Sequence, residues 1–172
     1  FGRATDLACL YIRRGRLSRE DGMFLVKKED GKFPWRYLGK DLKVGEQVNI
    51  GALSHIGNQV EIGRDSRVQG SVYIADQTII GNSCFLGPGA VITNDKYPPS
   101  NGKWSPVIIE DEVVIGASAT IVAGVKLSHG CVIGAGAVVT RDIPNEEVWA
   151  GNPAKFIMKR SEYEERRKSH AS

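Results

Sequence analysis

The stretch NIGALSHIGNQVEIGRDSRVQGSVYIADQTIIGNSCFLGPGAVI, residues 49–92, carries an aliphatic residue at every sixth position: Ile50, Ile56, Ile62, Val68, Ile74, Ile80, Leu86 and Ile92. One step toward the N-terminus the series gains Val44. Four positions after Val44 and each member up to Leu86 stands a small or slim residue, in order Val48, Ser54, Val60, Ser66, Val72, Thr78, Cys84 and Ala90. A helix repeats every 3.6 residues and a half-buried strand every two, so neither produces a period of six. Short strands joined by corners do. The aliphatic column then fills an interior, and the small column lets the corners close over it.

The period breaks at TNDKYPPSNGKWSPV, residues 93–107, and resumes at Ile109, Ile115, Ile121, Leu127, Ile133 and Val139. Val113, Ala119, Val125, Cys131, Ala137 and Ile143 form the second column of this block. A triangular solenoid takes one hexad per face and three per turn. The fifteen hexads therefore predict about five coils, stacked at the strand spacing of about 4.8 Å. Gly45, Gly51, Gly57, Gly63, Gly81 and Gly87 directly follow aliphatic positions, where a corner is expected to use the freedom of glycine in φ. The interruption cannot enter the core, so residues 93–108 are expected to loop outward near the third coil.

Composition narrows the function classes. The chain has 172 residues, 41% hydrophobic, with 23 basic and 20 acidic side chains and a net charge of +3. No basic run signals nucleic acid, and no stretch approaches the roughly 20 apolar residues of a membrane span. Neither a nucleic-acid nor a membrane partner is expected, and a soluble, cytoplasmic protein is. Cys9, Cys84 and Cys131 have no CxxC spacing, which points to buried small residues rather than to disulfides or zinc. No metal site is expected. Glycine, at 20 residues against 7 prolines, suits regular turning rather than disorder.

The repeat, together with the closing GAGAVVTRDIPNEEVWAGNPAKFI (residues 134–157), resembles the hexapeptide-repeat acyltransferase family over residues 42–157. That resemblance implies an all-β, left-handed parallel β-helix, assembly as a homotrimer, and acetyl-CoA as co-substrate. It divides the chain into an N-terminal appendage (1–40), a β-helix (41–157, with the 93–108 loop) and a C-terminal helix (158–172). Within it, CFLGPGAVITNDKYPPS (84–100) is similar to N-acetyltransferases acting on nucleotide-linked 3-amino sugars, including the 2,3-diamino-glucuronate enzymes of lipopolysaccharide assembly. Asn94, Asp95, Tyr97 and Pro98 carry the likeness. It implies that Asn94 stands at the reacting amine and thioester, with Asp95 the adjacent candidate for accepting the proton and Lys96 and Tyr97 on the substrate side. An Asn-Asp turn braced by two prolines is the competing reading of the same residues.

The loop contains no histidine, and that bears on the acceptor. A sugar ammonium titrates near an ordinary α-amino group, about 8, so a useful neutral fraction exists without a strong base. A hydroxyl acceptor gains roughly 10²–10⁴ from a general base, which members of the family that acetylate oxygen supply as a histidine in this loop. Of the three histidines, His55 falls in the first coil, His170 in the tail, and His129 on another face near the last coil. Only a neighbouring subunit brings His129 to Asn94, so it enters as a candidate across the trimer.

Acetyl-CoA needs a slot of bare backbone between subunits. Gly116, Ala117 and Ser118 stack, eighteen residues apart, against Gly134, Ala135 and Gly136, giving such a lane or else merely a set of corner residues. By resemblance the GNPAK exit flanks the adenine end, with Pro153 and Lys155 nearby. Lys155, Lys159 and Arg160 are placed either to pair with phosphates or to form a solvated helix face.

Residues 1–40 do not share the period. They read as two short helices, the second opening with a Ser18-to-Asp21 cap pattern and ending over Gly31 to Pro34. FGRATD, IRRGRLSREDG and KKEDGKFPWRYLG resemble the C-terminal end of sugar amidotransferases of surface-polysaccharide pathways, without any catalytic part. The segment is expected to cover the open first coil. A chain opening without methionine is expected of a piece of a longer reading frame. Two other functions fit the scaffold: O-acetylation of a sugar or small hydroxy acceptor, and non-catalytic binding of a nucleotide sugar. A carbonic anhydrase needs three clustered histidines, which this spacing does not give.

Overall fold

The computed structural model describes residues 38–171, which from Gly39 onward lie in one compact unit, Gly39–Ser172. The helices expected before residue 38, their Ser18 cap and Cys9 lie outside the described residues. Fifteen two-residue strands follow the sixfold period in three parallel stacks. The first stack is β1 (Lys43–Val44), β4 (Glu61–Ile62), β7 (Ile79–Ile80), β10 (Ile108–Ile109) and β13 (Lys126–Leu127). The second is β2 (Asn49–Ile50), β5 (Arg67–Val68), β8 (Phe85–Leu86), β11 (Val114–Ile115) and β14 (Val132–Ile133). The third is β3 (His55–Ile56), β6 (Tyr73–Ile74), β9 (Val91–Ile92), β12 (Thr120–Ile121) and β15 (Val138–Val139). β16 (Glu147–Ala150) pairs parallel with β14 and carries the solenoid to about six turns.

Among β1 to β15 register partners lie eighteen residues apart, Lys43 with Glu61 for example, except across the insertion, where Ile79 pairs with Ile108. The chain thus rejoins its stack in the same phase after the loop. From Ser54 and Ile56 onward both expected columns are buried, whereas Val44 is exposed and Val48 and Ile50 are half-buried. Ile56, Ile74, Leu86, Ile115, Ile121 and Leu127 are fully buried, and so are Ala90, Val113, Ala119, Cys131 and Ala137. The hydroxyls buried inside the coils find partners, as buried polar groups do in most folds. Ser66 Oγ donates to the Gly81 carbonyl at 2.9 Å and accepts from Cys84 N at 3.0 Å, and Thr78 Oγ1 donates to the Ala75 carbonyl at 2.8 Å.

The reason for the corner glycines is corrected by the structure. None of Gly45, Gly51, Gly57, Gly63, Gly81 and Gly87 has positive φ. They are glycine because the next coil passes too close: a Cβ on Gly87 would lie 2.6 Å from Ala117 N, and one on Gly134 would lie 2.7 Å from Ala150 Cβ. The left-handed backbone falls two residues later in each corner, on residues such as Gln47, Asp65, Ser83 and Ser118.

The C-terminus also differs from expectation. Before any helix the chain turns back as β17 (Lys155–Lys159), antiparallel to β16, and α1 spans Arg160–Ala171. Period six has no signal for such a reversal. Arg160 fixes the helix start: its N–H donates to the Glu146 carbonyl and its Nη1 to the Gly130 carbonyl, both at 2.8 Å, while its Nε holds Glu164 at 2.7 Å. No helix among the described residues is long and apolar enough to cross a membrane.

Candidate functional site

Each turn has three corners, and their chemistry differs. In two of them the second corner residue has its N–H capped by a side chain from an adjacent coil, the following one for Arg64 and Asn82 and the preceding one for His129. Asn82 Oδ1 accepts from Arg64 N at 3.1 Å, Asp111 Oδ1 from Asn82 N at 2.8 Å, and Glu110 Oε2 from His129 N at 2.8 Å. On the corner between the third and first stacks, Asn58 Oδ1 accepts from Lys40 N and Asp76 Oδ1 from Asn58 N, both at 2.9 Å. Asn94 is the next member of that column, eighteen residues above Asp76.

Asn94 breaks the ladder. Its Nδ2 donates to the Asp76 carbonyl at 3.3 Å, replacing the backbone donor that a regular rung uses there, as Gln77 N does toward the Asn58 carbonyl at 2.8 Å. The donor is missing because the chain leaves the solenoid here. Ser105 N donates to the Asn94 carbonyl at 2.7 Å and closes the mouth, so the excursion proper is residues 95–104, narrower than the expected 93–108, with Ile108 already in β10. Asp95 organises the loop from inside, its Oδ1 accepting from Tyr97 N at 3.2 Å and its Oδ2 from Ser100 N at 3.0 Å. Lys96 and Tyr97 are exposed at the tip, Tyr97 to 79%. The Asn-Asp turn and the site reading therefore fall on the same residues.

His129 is elsewhere. It lies after β13 on the corner between the first and second stacks, with Nε2 3.8 Å from Glu146 Oε1 and its side chain about half exposed. One subunit does not bring it to Asn94.

The corner between the second and third stacks holds the lane of small residues. No carboxylate or amide side chain reaches across it, so the N–H groups of Ala117 and Ala135 have no acceptor among the described residues. The neighbouring donors are used: Gly116 N bonds to the Ile133 carbonyl at 2.7 Å, and Gly136 N to the Ala117 carbonyl at 2.8 Å. The missing cap is a signal that the sequence offers, as Ala52, Gly70, Pro88, Ala117 and Ala135 occupy the position that holds Asn58, Asp76, Asn82, Asn94 and Asp111 in the other corners. Gly116 and Gly134 are set by coil packing, whereas a Cβ on Gly136 would meet open space. Ser118 and Ala135 are exposed and Ala117 half-buried, which leaves two unpaired donors on an accessible strip.

Of the basic residues expected near phosphates, Lys159 Nζ is paired with Glu147 Oε1 at 2.7 Å, and Arg160 is engaged as described. Lys155 is exposed and has no partner among the described residues, beside the exposed Pro153. Lys159 and Trp149, whose Nε1 also bonds Glu147, hold that carboxyl below its ordinary range.

Residues 42–75 and 106–141 match the hexapeptide repeat of succinyl-transferase, the two blocks on either side of the loop. The chain is 48% identical over 83 residues to a 2,3,4,5-tetrahydropyridine-2,6-dicarboxylate N-acetyltransferase of Staphylococcus aureus. That match covers 48% of this chain and 34% of the relative, so the chain spans about a third of the length of the curated relatives it matches. Among solved structures it resembles a protein of Caulobacter crescentus in complex with CoA and GDP-perosamine, with a TM-score of 0.63 and 24% identity over 89% of this chain and 76% of that one. A maltose O-acetyltransferase from Clostridium difficile gives a TM-score of 0.53 at 25% identity, covering 91% of this chain and 83% of that one.

Proposed function

We propose that this hexapeptide-repeat solenoid is an acetyl-CoA-dependent N-acetyltransferase acting on the 3-amino group of a nucleotide-linked amino or diamino sugar for surface-polysaccharide assembly in the cytoplasm. The observation that carries it is the Asn94 corner: a side-chain amide fixed at the mouth of an outward loop that contains no histidine. The match to a named N-acetyltransferase and the likeness to a fold bound to CoA and a nucleotide amino sugar point the same way.

In this reading acetyl-CoA lies along the strip of Ala117 and Ala135, whose free N–H groups donate to the pantetheine amides, with Lys155 and Pro153 at the nucleotide end. The strip lies between adjacent solenoids of a homotrimer, which is why one chain does not complete the site. The neutral amine attacks the thioester carbonyl. A C–N bond forms, the C–S bond breaks, the electron pair leaves on the CoA sulfur, and the amine proton passes to that thiolate through Asp95 or solvent. Asn94 steadies the oxyanion or orients the amine, and such a contact is worth roughly 10²–10³ in rate.

Transfer to oxygen is favoured by one observation. The half-exposed His129 side chain, with a carboxylate 3.8 Å away on Glu146, is the imidazole that a neighbouring subunit would receive as a base. Thiol release measured against a panel of UDP-, dTDP- and GDP-linked 3-amino sugars, with serine and maltose beside them, separates the two. Turnover of hydroxy acceptors alone overturns the N-acetylation reading.

A further inference from the structure

Outside the loop and the small-residue corner, the described residues contain one stacked pair of rings. His55 on β3 and Tyr73 on β6 are register partners, with ring centroids 4.8 Å apart and planes within 7°. That separation equals the rung spacing, so the rings lie one above the other along the solenoid axis. Tyr73 is 44% exposed. The next position of this ladder is Val91, whose short branched side chain offers no ring to continue it. The stack therefore ends one rung below Asn94, which follows Val91 by three residues, about 10 Å of extended chain. The Asn94–Asp76 hydrogen bond ties these two rungs together.

A second feature lies near the stack in sequence. Leu53, two residues before His55, is 77% exposed and has φ of 64°. Left-handed backbone is unfavourable for a branched apolar residue, and the other described residues with positive φ are polar or glycine. An apolar side chain is thus exposed, against the local backbone preference, on the corner that leads into β3, at the level of His55.

We propose that Tyr73, backed by His55, is the stacking platform for the base of a nucleoside diphosphate. The base stacks on the exposed part of the Tyr73 ring that the short Val91 side chain leaves uncovered, and the diphosphate runs toward the corner, where the exposed Lys96 supplies positive charge. The attached sugar then reaches Asn94. The inference rests on the proposed function for the identity of the acceptor, and it names the part of the molecule that recognises the nucleotide.

Titration of the full chain with UDP, dTDP and GDP tests it, read against Tyr73→Ala and Tyr73→Phe. Base stacking contributes enough that Tyr73→Ala should weaken binding of the preferred nucleotide roughly five- to a hundredfold, while Tyr73→Phe stays near wild type. In turnover the same variant should raise KM for the nucleotide sugar by a similar factor and leave kcat within about twofold. CoA binding reports that the variant is folded, and the amino sugar 1-phosphate, which lacks the base, should be used equally well by both proteins. Unchanged nucleotide affinity in a CoA-binding Tyr73→Ala protein overturns the platform, and leaves N-acetylation standing if the wild type still transfers acetyl. An equal loss with the sugar 1-phosphate also overturns it, because the ring then holds the sugar. Tyr73-dependent nucleotide binding by a wild type that acetylates no amine supports the platform and removes the N-acetyltransferase reading.

Discussion

The side-chain amide of Asn94 donates to the main-chain carbonyl of Asp76 at 3.3 Å, on a corner whose regular rungs use a backbone N–H for that bond. One residue thus seals the coil at the point where the loop departs and is held there with its amide fixed. Any test of Asn94 must separate these roles, since the seal acts on stability and the fixed amide on the reaction.

Asn94→Ala should lower kcat roughly 10²–10³-fold and move KM less, as expected for a contact stronger in the transition state. The lost hydrogen bond should reduce stability by only about 0.5–1.5 kcal/mol. Steady-state kinetics and a urea melt on the same preparation separate the two. A kcat within about twofold of wild type would leave Asn94 as a seal for the coil alone.

Light scattering at micromolar concentration should give a trimer. The two unpaired N–H groups at Ala117 and Ala135 stand on an accessible edge, and in the proposed reading the second wall of the acetyl-CoA slot comes from a neighbouring solenoid, which closed threefold symmetry would supply to each subunit. A monomer that retained activity would remove the intersubunit site.

Acid should destabilise the solenoid through its first corner. Asp111 is held below the ordinary carboxylate range by hydrogen bonds from the Asn82 backbone and side chain, and Glu110 by Lys126 and then by the His129 backbone. Both stay charged in the folded state at pH values where the unfolded chain is already taking up protons. Their stabilisation is complete above the ordinary range, about 4, and is lost as pH falls through their folded values. The urea midpoint should therefore fall between about pH 5 and pH 2, and Asp111→Asn should flatten part of that fall. A midpoint with the same pH dependence in the variant would assign the acid sensitivity to other carboxyls.

Cys84 and Cys131 should resist alkylation in the folded protein. Burial pushes their thiols up to about 11 and about 12, so almost no thiolate is present at pH 8. With both values above the unfolded one, the stabilisation from keeping these thiols neutral is complete at neutral pH and declines as pH rises past about 9. A Cys9→Ser chain treated with a thiol reagent should react only after denaturant is added. Prompt modification in buffer would mean that the coils open locally.

The coils were legible because the interior of a solenoid repeats wherever the chain repeats: Ile56, Ile74 and Ile92 meet the same environment three times. The loop was legible as a break in that phase, and the handedness rested on family likeness alone. The role of Gly81 and Gly87 was misjudged, because close approach of the next coil depends on atoms eighteen or more residues away and leaves no local signal. β17 was missed for a related reason, since one antiparallel pairing at the end of the repeat has nothing to repeat. At the candidate site, Asn94 is proposed from family likeness and the Ala117–Ala135 strip from residue size. The stack of His55 on Tyr73 was overlooked, although both occupy the outward position just before an aliphatic residue, eighteen apart.

The rate of acetyl transfer should rise with pH in one step near the acceptor amine's own pKa, about 8, and then level. Only the neutral amine has the lone pair that attacks the thioester, and no histidine stands in the Asn94 loop to impose a lower step. His129 lies on another corner, beside Glu146, so replacing it tests whether a neighbouring subunit delivers it. His129→Ala should keep kcat within a few-fold, because a general base would otherwise contribute roughly 10²–10⁴. The profile should also shift with the acceptor: an amine made less basic by a neighbouring substituent should move the step to lower pH in proportion. A step that ignores the acceptor's pKa and disappears in His129→Ala would make histidine the base, and would return the enzyme to the mechanism used for hydroxyl acceptors.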